Sequence, residues 1–246
     1  MSNEKEPQKK SNGTFSELLS DLHMEGLTGL AKLFLPEGLW KGQNHNVEDQ
    51  ALADDSIDGG SREIHLTFDD GPNPATTPYL LELFEEEGVK ATFFVIGNQV
   101  EKHEDLLLEV SKHGHTIGNH TYSHVFLPIL SRQKMEKEIL TTNQRITDVT
   151  GQQPKLFRPP FGIADKKAHL LLQEQGMKTV YWSAFSEDWR HIGESSVVDR
   201  LSKYATEGGI MVMHELEPTG NQTIAAARSL IRKLKEKNFN FTALTH

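Results

Sequence analysis

At 246 residues the chain has room for one large domain or two small ones around a substantial core. Its composition, 36% hydrophobic and 25% charged, is that of an ordinary globular protein, and a net charge of −9 argues against a general nucleic-acid binder and against adhesion to an anionic membrane. There is no cysteine, which excludes disulfides, thiolate catalysis and Cys-ligated zinc.

The opening residues "MSNEKEPQKKSNG" are polar, mix both charge signs and read as disordered. They lack the apolar run of a secretory signal, and "GLTGLAKLFLPEGLW" is too short and interrupted to span a bilayer. The expectation is a chain without stable membrane insertion, cytoplasmic by default, with action at a cell wall as the alternative. From Phe15 to Leu33, apolar residues recur at three- and four-residue spacing, which predicts an amphipathic helix packed on the main domain. Gly38 to Gly60 lacks periodicity and reads as a linker. Residues 1–61 are therefore read as an N-terminal extension and 62–246 as the main domain.

From Arg62 onward strands and helices alternate. "EIHLTF" reads as a strand, "TTPYLLELFEEEG" as a helix, "VKATFFVIG" as a strand and "EDLLLEVSKHG" as a helix. "HTIGNH" is a short strand, Ser131 to Thr150 a helix, "KLFRPPFG" a strand and turn, "KKAHLLLQEQG" a helix and "KTVYWSAF" a strand. Ser195 to Glu207 is helical, "GIMVMH" a strand, and "NQTIAAARSLIRKLKEKN" the last helix. This order predicts an α/β fold with a mostly parallel sheet, too short for the usual eight-unit barrel.

Parallel α/β folds gather functional groups where strands run into loops, so the strand ends were read for chemistry. "LTFDDGPNP" ends its strand on Asp69 and Asp70. Two adjacent carboxylates are tolerated where a cation sits between them, although Asp, Gly, Pro and Asn also make ordinary turns. "NHTYSH" places His120 and His124 four apart; on a helix or helical turn both imidazoles would share one face. With 12 His in the chain, that pair alone is equally well explained as coincidence. Two His with Asp70 as third ligand would leave an open position for water. Arg158 in "FRPPFG", Asp188 and Trp189 in "SEDWR", and His214 in "VMH" mark further strand ends. Each has an ordinary structural explanation alone; together, at successive strand ends, they do not.

"TFDDGPN", "NHTYSH", "RPPFG", "DW" and "VMH", in that order, resemble the five motifs of the polysaccharide deacetylases, the NodB-homology family of carbohydrate esterases. The resemblance spans roughly Arg62 to His246. It implies an irregular (β/α) barrel of about seven units, here behind an N-terminal helical extension. It also implies a divalent metal, zinc first with cobalt or manganese as alternatives, and an acetylated glycan substrate handled by a monomer. Carried over residue by residue, Asp70, His120 and His124 would hold the metal. Asp69 would be the general base, Arg158 its ion-pair partner, ideally bidentate, and His214 the general acid. Phe161 would give a backbone N–H to the oxyanion, and Asp188, Trp189 and Val212 would lie on the substrate side.

The implied reaction is hydrolysis of N-acetyl groups on N-acetylglucosamine-containing glycans, peptidoglycan or chitin-like. Two alternatives stand beside it: an impaired relative that binds metal and glycan without turnover, and a C–N hydrolase of a small non-sugar amide. The impaired reading comes from one departure. The family's fourth motif usually has an Asp three residues before the Asp of "DW", thought to tune the general-acid His; here Phe185 stands there. A substitute would come from Glu187, Asp188 or Glu215. Val212 also replaces the usual Leu.

Overall fold

The computed structural model describes residues 62–245. The tail, helix and linker expected over residues 1–60 lie outside the described residues.

The strand β1 (Arg62–Asp69) is the axis of the molecule. Its residues alternate as a strand requires: Ile64, Leu66 and Phe68 enter the main core beneath the helices, which leaves His65, Thr67 and Asp69 on the opposite face. The chain then follows the order α1 (Thr77–Glu87), β2 (Thr92–Val95), α2 (Gly97–Lys102), α3 (Glu104–Lys112), β3 (Thr116–Asn119) and α4 (Arg132–Thr150). It continues with β4 (Leu156–Phe157), α5 (Lys166–Glu174), β5 (Lys178–Thr179), β6 (Ala184–Phe185), α6 (Glu194–Lys203), β7 (Gly209–His214), α7 (Gly220–Lys235) and β8 (Phe239–Phe241). Single 3-10 turns lie at Leu127–Ile129 and Pro160–Gly162. Helix ends follow local chemistry: Ser131 and Asp165 cap α4 and α5 by accepting from Lys134 and Ala168 N–H groups, and Gly88 and Gly151 end α1 and α4 in left-handed conformation.

The sheet order is β5-β4-β3-β2-β1-β7-β6, with β8 against the start of β1. Its pairings are parallel, and the sheet curls into an open barrel with helices outside, the expected α/β class. Register sets the rim. Asp69 lies opposite Phe94 and His214, Val95 opposite Asn119, and Asn119 opposite Phe157. The carboxyl ends of β1, β3, β4 and β7 thus open onto one mouth.

The expected single strand "KTVYWSAF" is two. β5 and β6 sit at opposite ends of the sheet order, so Val180 to Ser183 must cross between the two sheet ends. Two further elements had no sequence signal: the short α2 and β8, which comes from "FNF" after the last helix.

Candidate active site

The base candidate and its cation come from the barrel interior. Arg158, directly after β4, is completely buried. It donates from Nη1 to Asp69 Oδ1 and to Thr67 Oγ1, both at 2.7 Å. Its Nε and Nη2 donate to the carbonyls of Val180 (3.4 Å) and Tyr181 (3.1 Å) in the crossing segment. The guanidinium lies over Phe94 at 4.2 Å. The pair with Asp69 therefore rests on one nitrogen instead of the expected bidentate fork, because the other donors close the gap between β5 and β6. Burial pulls the Arg158 pKa down and Asp69 pushes it back.

The metal candidates meet beside this pair. Asp70 Oδ1 lies 3.5 Å from His124 Nε2 and 3.7 Å from His120 Nε2. It is buried yet has no hydrogen-bond partner, a costly state for a carboxylate oxygen. Four ligands in a tetrahedron around zinc are themselves about 3.4 Å apart, so these spacings fit a small divalent cation. The imidazoles are prepared for it. His120 Nδ1–H donates to the Arg158 carbonyl at 2.7 Å, which leaves Nε2 its lone pair. Burial, then the neighbouring His120, hold His124 down at about 4 against the pull of the carboxylates, so its imidazole is neutral at pH 7. Among the described residues, Asp70, His120 and His124 are the group of His and carboxylate residues whose atoms could hold a metal.

The two His are on neither a helix nor a helical turn, where their spacing would have put both on one face. They lie on an irregular loop in which Thr121 (φ 66°) and His124 (φ 52°) are left-handed. Side chains outside the motif pin that loop. Asn119 Oδ1 accepts from Thr121 N–H at 2.7 Å, while its Nδ2 donates to Ile139 O and Asn143 Oδ1. Glu138 of α4 accepts from the N–H groups of Tyr122 and Ser123 and from the Ser123 hydroxyl, at 2.9–3.0 Å.

Across the mouth, His214 ends β7. Its Nδ1–H donates to Asp188 Oδ1 at 2.8 Å, and its backbone N–H donates to Asp188 Oδ2 at 2.8 Å. Asp188 also accepts from Ser186 Oγ (2.7 Å) and Thr223 Oγ1 (2.8 Å). Burial alone would depress His214, but the Asp188 carboxylate outweighs it and lifts the imidazole to about 9. Asp188 itself resists the upward push of burial because His214 holds it below the usual carboxylate range. This corrects one placement: Asp188 is wholly buried behind His214, not on the substrate side. It also sorts the three candidates for His214's partner. Glu187 turns to Arg200 and Arg190, and Glu215 to the hydroxyls of Thr76 and Thr77.

The remaining site candidates line the same mouth. Trp189 packs its edge on His214 at 4.8 Å and on Phe185 at 4.7 Å. Phe185 in turn stacks on Trp182 at 5.9 Å. Phe161 is left-handed (φ 61°), with its ring 4.8 Å from His124. Val212 is buried; its β7 neighbours Met211 and Met213 belong to the helix-side core and Ile210 to the interior one, so Val212 faces the barrel interior. Sequence reasoning missed Thr67, Asn119, Glu138, Ser186 and Thr223. Of these only Thr67 and Asn119, polar residues within or ending apolar strands, carried a readable signal.

Comparison with known proteins gives a consistent picture. Residues 56–180 match the family model described as polysaccharide deacetylase. The chain is 34% identical over 191 residues to a peptidoglycan-N-acetylglucosamine deacetylase of Bacillus cereus, covering 77% of this chain and 89% of that one. It is 33% identical over 207 residues to a chitooligosaccharide deacetylase of Rhizobium leguminosarum, covering 80% and 94%. Among solved structures, a peptidoglycan N-acetylglucosamine deacetylase bound to a naphthyl N-hydroxybenzamide superposes with a TM-score of 0.72 at 29% identity, covering 74% of this chain and 89% of that one.

Proposed function

The chain belongs to the polysaccharide deacetylase family, and from that premise we propose that it hydrolyses N-acetyl groups on N-acetylglucosamine-containing glycans, peptidoglycan or chitin-like, releasing acetate. The observation that carries the reading is the orphaned Asp70 Oδ1 facing two imidazoles, with the Asp69–Arg158 pair beside it and the Asp188–His214 pair at the adjoining strand end. Asp70, His120 and His124 would hold a divalent cation, zinc by preference for a two-His, one-carboxylate set with an open position. When bound, that cation supplies Lewis-acid polarisation of the acetamide oxygen and acidification of water from about 16 to about 7.

The protein's own groups do the rest. Asp69, held by Arg158, takes the proton of the attacking water. The backbone N–H of Phe161 serves the oxyanion, the kind of donor whose loss costs about 3–4 kcal/mol. His214, kept protonated by Asp188, gives its proton to the departing amine, without which the amide nitrogen is a poor leaving group. Trp189 and Val212 pack the acetyl methyl. Asp188, paired with His214, would fill the tuning role that Phe185 cannot, which favours a working enzyme over an impaired relative. One chain supplies every group, so a monomer suffices. No helix of the described residues is long and apolar enough to cross a membrane. The relatives' names point to cell-wall and chitin-type glycans as the substrates to try first.

The test is acetate release from N-acetylglucosamine oligomers and from peptidoglycan, with added zinc or cobalt and with chelator. Release that needs the metal is expected. Cleavage of small non-sugar amides with no acetate from either glycan would overturn the reading.

A further inference from the structure

Glu215 follows His214 in sequence but serves the opposite wall. It is 1% exposed, and no cationic side chain pairs with it among the described residues. Its backbone N–H donates to the Asp69 carbonyl at 2.9 Å, and its own carbonyl accepts from Asn73 Nδ2 at 3.0 Å. Its Oε1 accepts from the hydroxyls of Thr76 (3.3 Å) and Thr77, the cap and first residue of α1. Its Oε2 is buried without a hydrogen-bond partner and rests against Gly71. A methyl group at residue 71 would come within 1.8 Å of that oxygen, so the glycine of "DDGPNP" leaves the space that the carboxyl fills.

One residue thus grips the turn after β1 at Asp69, Gly71, Asn73 and the start of α1. We propose that Glu215 is a positioning residue which wedges the Asp69–Asp70 turn against α1 and so fixes both the base and the metal ligand. The inference rests on the roles given above to Asp69 and Asp70. Two hydroxyls serve one oxygen, and among the described residues nothing cationic or hydrogen-bonding meets the other, surroundings that do not call for a charge on the carboxyl. The titratable groups acting on it are the carboxylates of Asp70 and Asp69, while α1 offers only hydroxyls. Burial first, and those two charges after it, outweigh the threonine bonds and push Glu215 up to about 8. A Gln can replace such a group; an Ala cannot.

The experiment measures zinc affinity of the full chain by competition with a chromophoric chelator, for wild type, Glu215→Gln, Glu215→Ala and Thr77→Val. Gln is expected within threefold of wild type, because its amide carbonyl still accepts from both threonines. Ala is expected to bind zinc at least tenfold more weakly and Thr77→Val three- to tenfold more weakly, so an Ala variant that fails to fold leaves the Val result to decide. A second readout needs no metal: the urea midpoint of the apo protein at pH 5.5 and pH 8.5. The fold favours neutral Glu215, so its contribution is present at low pH and lost as pH rises through about 8. The wild-type midpoint should therefore fall relative to Gln, with other groups cancelling in the difference. Wild-type zinc affinity in both Ala and Val, Gln as poor as Ala, or a difference flat with pH would overturn the role of Glu215. A wild-type chain that binds no zinc would overturn the metal reading, and this inference with it.

Discussion

Two buried ion pairs at the site are built on different terms. Arg158 and Asp69 are locked inside the barrel, whereas His214 and Asp188 sit at the mouth, with the imidazole 15% exposed. In the proposed reaction the second pair would give a proton donor whose charge depends on its partner. Asp188→Asn removes the carboxylate that lifts His214 but leaves the burial that lowers it, so the imidazole should drop below its ordinary value near 6.5. The alkaline limb of kcat/KM should move acidward by two pH units or more, with kcat near pH 7.5 falling about 100-fold, the scale of a lost general acid. A bound cation displaces the limbs of both proteins alike, so the difference between them is the quantity to measure. Stability gives the same sign. His214 is raised in the folded state, so its contribution, about 3 kcal/mol, is complete below pH 6.5 and lost as pH rises through about 9. Apo wild type should weaken to urea between pH 6 and pH 10, and Asp188→Asn should show a flatter profile. An unmoved kcat/KM limb would separate Asp188 from the proton donor.

At the level of elements, the loop after β3 must hold two imidazoles without a helix to space them. Its geometry comes from Asn119 at the strand end and Glu138 on α4. Glu138→Ala removes the acceptor of two backbone N–H groups and one hydroxyl between the two imidazoles while deleting neither proposed ligand. Outer partners of metal ligands are worth 10–100-fold in affinity, and the Glu138 carboxylate bonds to the loop between the two imidazoles, so zinc affinity should fall about tenfold. The melting temperature of the apo protein should move little, because Glu138 is only half-buried within α4 and is not one of the residues that helix buries in the core. Equal zinc affinity would mean that Asn119 alone sets the loop. The strand ends and motif residues here were legible from residue order, but their geometry was not. Asp70, Thr121, His124, Phe161 and Glu187 all have positive φ, a conformation that usually advertises itself through glycine. Here no glycine marks it, because surrounding bonds impose the strain. The partner of His214 was equally hidden: Glu187 and Asp188 are adjacent in sequence and Glu215 adjoins His214 itself, and only the fold turns the three to different partners.

Over the whole molecule, the alternation of apolar strands and helices was enough to read a parallel α/β fold, since each element carries its own period. The crossing between β5 and β6 was not readable, because "KTVYWSAF" has uniform strand composition and the break is imposed by the distance between the sheet's two ends. Arg158 shows the same limit: its pairing with Asp69 was expected, but its service to the carbonyls of the crossing segment depends on sheet order. That order also bears on where the domain begins. β1 starts at Arg62 and is flanked by β2, β7 and β8, all later in the chain, and every site group lies between Thr67 and Thr223. We therefore propose that the catalytic domain is complete without the extension. A chain of residues 56–246, starting where the family model begins to match, should unfold cooperatively, bind zinc as the full chain does and release acetate with kcat/KM within threefold. Zinc competition and the acetate assay on both lengths check this. Loss of cooperative unfolding in the shorter chain would make the first 55 residues part of the fold; intact folding with weaker kcat/KM on polymers alone would instead give them a part in engaging the glycan.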